Sequence, residues 1–300
     1  MIKHILYKPF CLLLFSATIT ACSGPEKEQK EVGQELFDPD SALNTVFDGK
    51  IFSIPSPIQT TYLIKELDIP FNEDLLSNDK KVDDYLTEYD RALSLGIYGT
   101  DLGYSAMYDE KGVTMRYLGA VEKLTSELHL DAAFNSDFLL RFERNNDNED
   151  SMVMLMTQAF KEADQQMKSS NRKATSALVL TGGWVESLYL ACELYAEKPD
   201  KEILKRIGIQ RESISSIVSI LTTYNNEGES DALIDQISGL QSSFDEIGME
   251  YEYSATETNE AKHFSQIHHS LEIKISPQVM KDIRAKVAAI REGIINTSNT

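Results

Sequence analysis

The stretch LVLTGGWVESLYLACELY, residues 178–195, has the apolar density of a buried helix yet carries Gly182 and Gly183 side by side. Each interior glycine costs a helix about 1 kcal/mol relative to alanine. A chain that keeps two together is using their missing side chains. A second run, LSLGIYGTDLGY (93–104), has three glycines in a similar setting. On a helical wheel with about 100° per residue, Gly96, Gly99, Thr100, Gly103 and Met107 share one nearly bare face. Such a face lets another helix come closer than the usual axis separation of about 8–10 Å. The two runs are therefore expected to be neighbouring helices.

Each run also carries one acid among aromatic residues. Asp101 sits beside Tyr98, Tyr104, Ser105 and Tyr108, while Glu186 lies amid the apolar stripe of Trp184, Leu188, Ala191 and Tyr195, with only Glu193 on its face. A carboxyl in such surroundings is either hydrogen-bonded or has a raised pKa. The expectation is one central polar site to which Asp101 and Glu186 both belong, with Gly96, Tyr98, Gly99, Tyr104, Gly182, Gly183, Trp184 and Tyr189 as candidate ligand-binding neighbours. The plainer alternative is that the acids merely satisfy hydroxyls and helix ends inside a bundle. A binding site predicts a pocket lined by Tyr98, Tyr104, Trp184 or Tyr189. A carboxylate-dependent, glycosidase-like hydrolase predicts, in addition, two carboxyls roughly 5–9.5 Å apart.

Helix signals recur along the rest of the chain. Ser56-Pro57 and Ser276-Pro277 place a cap before proline at the first helical position. Apolar residues at helical spacing follow Asn78 or Asp79 (Val82, Tyr85, Leu86, Tyr89, Leu93, Gly96) and fill 113–130, a short helix after Asn135, 150–168, about 172–196, Pro199 to Tyr224, 230–247 and the last helix. In that last helix Val279, Ile283, Val287, Ile290 and Ile294 form the stripe. The segment SLEIKIS alternates and predicts a short extended piece. The fold class expected is all-α, an irregular multi-helix bundle of about eight or nine helices with at most a trace of β. No 34-residue repeat or sustained heptad pattern is present.

The N-terminus reads as an address. Lys3 and Lys8 precede an apolar run too short for a comfortable permanent span, as in a secretory signal. That run ends in Ile19-Thr20-Ala21-Cys22, which resembles the lipobox of bacterial lipoprotein precursors. The expected organisation is a signal peptide over 1–21, a flexible tether over 22–44 beginning with lipidated Cys22, and a single all-helical domain over 45–300. Several acyl chains on one residue anchor firmly, since each buried methylene adds roughly 0.8 kcal/mol. Ser23 in place of aspartate points to the outer membrane. Removing residues 1–21 takes away two lysines and no acid, leaving 27 basic against 48 acidic residues, a net charge of −21. That charge repels nucleic acid and anionic headgroups by default.

LGIYGTDLGY and GGWVESLYLA, joined by FLLRFERNNDNEDSM, resemble a group of Bacteroidota lipoproteins with an LG-IYG-DL-Y run and a GGW-E-LY run. The similarity covers roughly residues 50–250, and SGPEKEQKE after Cys22 also resembles the acidic surface-export signal of such lipoproteins. The resemblance implies a lipid-anchored, surface-exposed helical protein and no particular chemistry. Partners expected are the membrane through Cys22 and either another envelope protein or a small molecule.

Other chemistries lack their motifs. With Cys11 in the signal and Cys22 lipidated, Cys192 alone remains, and it reads as a buried hydrophobe. Asn146, Asn148 and Asp150 alternate as in a calcium loop, but Ser151 and Thr157 stand where glycine and a bidentate glutamate belong. His263, His268 and His269 lack the HExxH arrangement. There is no GxSxG elbow, phosphate loop or dinucleotide fingerprint. No cofactor or metal is expected. The expected role is binding or envelope assembly rather than catalysis; a carboxylate hydrolase and a purely structural envelope component are the alternatives.

Overall fold

Asp48-Gly49 is the turn of the first described hairpin. The computed structural model describes residues 43–54, 56–145, 148–253, 257–259, 264–266 and 269–296. Strand β1 (Leu43–Phe47) pairs antiparallel with β2 (Lys50–Ile54), and both turn residues have positive φ, 49° at Asp48 and 77° at Gly49. A two-residue hairpin turn of this kind matches strand twist and favours Asp-Gly. Residues 43 and 44, expected in the tether, belong to β1, and the Asp-Gly pair between apolar runs is the sequence signal for this hairpin.

Ten α-helices follow among the described residues, so the all-α, multi-helix class holds with one or two more helices than expected. They are α1 (Pro57–Glu66), α2 (Glu88–Met107), α3 (Lys111–Glu127), α4 (Ser136–Arg144), α5 (Glu149–Ser169), α6 (Lys173–Glu197), α7 (Lys201–Gly208), α8 (Gln210–Thr223), α9 (Asp231–Phe244) and α10 (Pro277–Ile295). Two expected helices are each divided. The one after Asn78 becomes a 3-10 turn over Asp79–Asp84 and then α2, because Thr87 accepts the Asp90 N–H at 3.0 Å and restarts the helix. The one after Pro199 breaks at Ile209 between α7 and α8, its start moved to Asp200, whose carboxylate accepts the Glu202 N–H at 2.7 Å.

Ser56 and Gln59 form a capping box at α1, and Ser276 accepts the Val279 N–H at 3.2 Å at α10. Asn148 accepts the Ser151 N–H at 2.8 Å, which makes the would-be calcium stretch the cap of α5; Asn146 lies outside the described residues. The alternating segment is β6 (His269–Lys274), paired with β3 (Gly248–Tyr253), and short strands β4 (Glu257–Asn259) and β5 (Phe264–Gln266) pair between them.

The core has two apolar clusters, and α2 is the wall between them. Leu93, Ile97 and Tyr104 belong to the cluster built with α6–α10, whereas Leu95, Tyr98 and Leu102 belong to that of α3–α5. Every α2 residue from Ala92 to Met107 except Gly99 is buried. A helix apolar all round requires such a central place. Helix α6 is the one described helix long and apolar enough to cross a membrane by composition, but 78% of that window is buried inside the fold. Its apolar surface serves the core.

A packed centre of two carboxyls and one guanidinium

Helices α2 and α6 form the most extensive helix contact among the described residues, and the glycines make it. A Cβ on Gly96 would collide with the Val179 carbonyl oxygen and the Gly183 nitrogen, and one on Gly182 with the Leu93 carbonyl oxygen. These obstacles are backbone, which cannot swing aside. Gly183 faces the Gly96 carbonyl, where an added Cβ would lie 3.5 Å away, and Thr100 Oγ1 donates to the Gly96 and Gly183 carbonyls at 3.0 and 3.4 Å. The rest of the bare strip serves other partners. A Cβ on Gly99 would strike the Phe160 ring of α5, and one on Gly103 would meet Ile58 of α1 in ordinary contact at 3.7 Å.

This close approach brings Asp101 and Glu186 together, as their shared setting suggested. Both are 0% exposed. Asp101 Oδ2 accepts the Ser77 N–H at 3.0 Å and the Ser77 hydroxyl. Glu186 Oε2 accepts from Arg291 Nε at 2.6 Å, with the Arg291 side chain 4% exposed. The remaining oxygens, Asp101 Oδ1 and Glu186 Oε1, have no hydrogen-bond partner among the described residues, and the two carboxyls lie close enough for the Asp101 charge to act on Glu186. Two ionised carboxylates buried beside one guanidinium would leave an uncompensated charge out of reach of water, so the pair keeps one proton between them.

Burial is the main force on this pair and pushes both carboxyls above the usual carboxylate range. The Asp101 charge raises Glu186 further, while Arg291 opposes the rise in both. With one proton shared, the guanidinium balances the single remaining negative charge. The centre is neutral inside a strongly acidic chain. Arg291 also donates from Nη2 to the Leu75 carbonyl at 3.0 Å and lies 4.2 Å from the Tyr189 ring centroid, a cation–π contact.

Arg291 and Ser77 are the residues that sequence reading missed. Arg291 carried a signal: it lies four residues after Val287 and three before Ile294, inside the apolar stripe of the last helix. Ser77 carried none, because its segment has no periodicity. Of the other candidates, Tyr98 donates to the Asn78 carbonyl at 2.8 Å, and Tyr104 accepts the Asn72 N–H at 3.0 Å while stacking on Phe71. Trp184 turns away from the centre and donates to Gln210 Oε1 at 2.8 Å.

Two depressions on the described surface lie near Asp109, Met115 and Met152, and between Leu178, Leu221 and Tyr224; Tyr98, Tyr104, Trp184 and Tyr189 line neither. Cys192 is buried, which pushes its thiol well up and leaves it a hydrophobe rather than a nucleophile. Among the described residues no three His, Cys, Asp or Glu side chains cluster as metal ligands; His263 and His268 lie outside them. No protein-family model matches the chain, and neither a curated protein nor a solved structure shows significant similarity to it.

Proposed function

We propose that the chain is an outer-membrane lipoprotein, anchored by lipid on Cys22 and exposed at the cell surface, whose helical body acts in binding or envelope assembly rather than in catalysis. The observation that carries this reading is Ile19-Thr20-Ala21-Cys22 directly after a basic and apolar leader-like segment. Cys22 and most of the tether lie outside the described residues. The packing of the acidic pair supports the non-catalytic half of the reading. A hydrolase must open its carboxyls to substrate and water, whereas Asp101 and Glu186 are both 0% exposed and held by Ser77 and Arg291.

Labelling with a palmitate analogue in a diderm host, followed by membrane fractionation and protease treatment of whole cells, tests the proposal. Wild type should carry label, sediment with the outer membrane and be cut from outside, and Cys22→Ser should lose label and anchoring. An unlabelled, freely soluble wild type would overturn it.

A further inference from the structure

The segment between α1 and α2, residues 69–86, contains only two 3-10 turns, Glu73–Leu75 and Asp79–Asp84. Its backbone groups are instead met by side chains from the helices beneath. Tyr108 donates to the Ile69 carbonyl at 2.7 Å, Tyr104 accepts from Asn72 N–H, and Arg291 donates to the Leu75 carbonyl. Asp101 takes both donors of Ser77, Tyr117 donates to the Ser77 carbonyl, and Tyr98 donates to the Asn78 carbonyl. The outer side of the segment is open to solvent at Glu73, Asp74, Lys80, Asp83 and Asp84. It is a strap laid across the carboxyl centre, and two of its anchors, Asp101 and Arg291, belong to that centre.

We propose that residues 69–86 form a proton-gated strap, which stays closed while Asp101 and Glu186 share one proton and loosens when that proton leaves. Loss of the proton sets two buried carboxylates against the single guanidinium, and opening the strap lets water reach them. Neither of the two depressions described above is lined by Asp101 or Glu186.

The groups around the pair do not compete for the role. Tyr98 on α2, Tyr117 on α3, Tyr85 in the strap and Tyr189 on α6 all have their phenols pushed up by burial, so they remain hydroxyls through neutral and mildly alkaline pH. Arg291 on α10 stays charged; Glu292 lies beside it, and Arg116 and Asp79 lie near Tyr117.

The sign follows from linkage. A carboxyl whose closed-state pKa is raised favours the closed form fully below its ordinary value, about 4.3 for glutamate. That advantage is lost as pH climbs to the raised closed-state value. For one proton, the opening constant grows tenfold per pH unit across that window.

Amide hydrogen exchange of the full-length chain, corrected for intrinsic rates between pH 5 and 9, reads the strap at Asn72 and Ser77 with amides of α8 and α9 as controls. Strap opening should rise by up to tenfold per pH unit in wild type and stay flat in Glu186→Gln, which keeps the acceptor for Arg291 and supplies a permanent donor to Asp101. Equal pH dependence in both proteins, or strap and control amides moving together, would overturn the proposal. Should Glu186→Gln not fold, carboxyl carbon NMR of wild type decides: the pair's titration must coincide with strap opening, and separation of the two overturns the gate.

Discussion

Two sides of α2 solve the same problem by opposite means. Towards α6, Gly96 meets Gly182 and Gly183 with backbone against backbone, and side chains are removed until the helices touch. Towards the strap, Tyr98, Asp101, Tyr104 and Tyr108 reach out to an irregular chain that lacks its own ladder. Regular backbone satisfies its own hydrogen bonds, so its neighbour needs only shape. Irregular backbone must borrow partners, so its neighbour must supply long polar side chains. The LGIYGTDLGY run interleaves both demands on one helix.

Substitutions can break this contrast in decreasing steps. Arg291→Met leaves the acidic pair without its balancing charge and should cost about 3–5 kcal/mol in urea unfolding. Gly182→Ala drives a methyl into the Leu93 carbonyl, and overpacking of this kind should cost about 3 kcal/mol in the same measurement. Tyr98→Phe removes the hydrogen bond to Asn78 and should cost about 1 kcal/mol, with strap amides exchanging faster than α6 amides. Gly103→Ala, with ordinary contact at 3.7 Å to Ile58, should be tolerated and add up to about 1 kcal/mol through helix propensity. Equal losses at Gly182 and Gly103 would remove the distinction between glycines needed for contact and glycines that are not.

The same contrast explains what was legible in the sequence. Glycines inside apolar helices and an acid inside an apolar stripe have few physical causes, so α2, α6 and the Asp101–Glu186 meeting could be read before any coordinates. Arg291 could have been read with them, since a cation between Val287 and Ile294 breaks a stripe just as Glu186 does. The strap could not: Ser77 and the carbonyls of Ile69, Leu75 and Asn78 are placed by what lies beneath them, not by any local period. The division at Ile209 was likewise invisible, because the apolar spacing continues across it. The clustered aromatic residues have structural partners: Tyr98 and Tyr104 reach for the backbone of the strap and Trp184 for Gln210.

A packed, neutral centre requires Asp101 and Glu186 to share one proton beside Arg291. Urea stability of wild type and Glu186→Gln across pH 5–9 tests it most directly. Wild type should lose about 1.4 kcal/mol per pH unit relative to the variant, from the ordinary carboxyl range up to the raised folded-state value. Parallel profiles, or a wild type that gains stability over the variant as pH rises, would mean that both carboxyls are ionised in the folded protein and would contradict the claim.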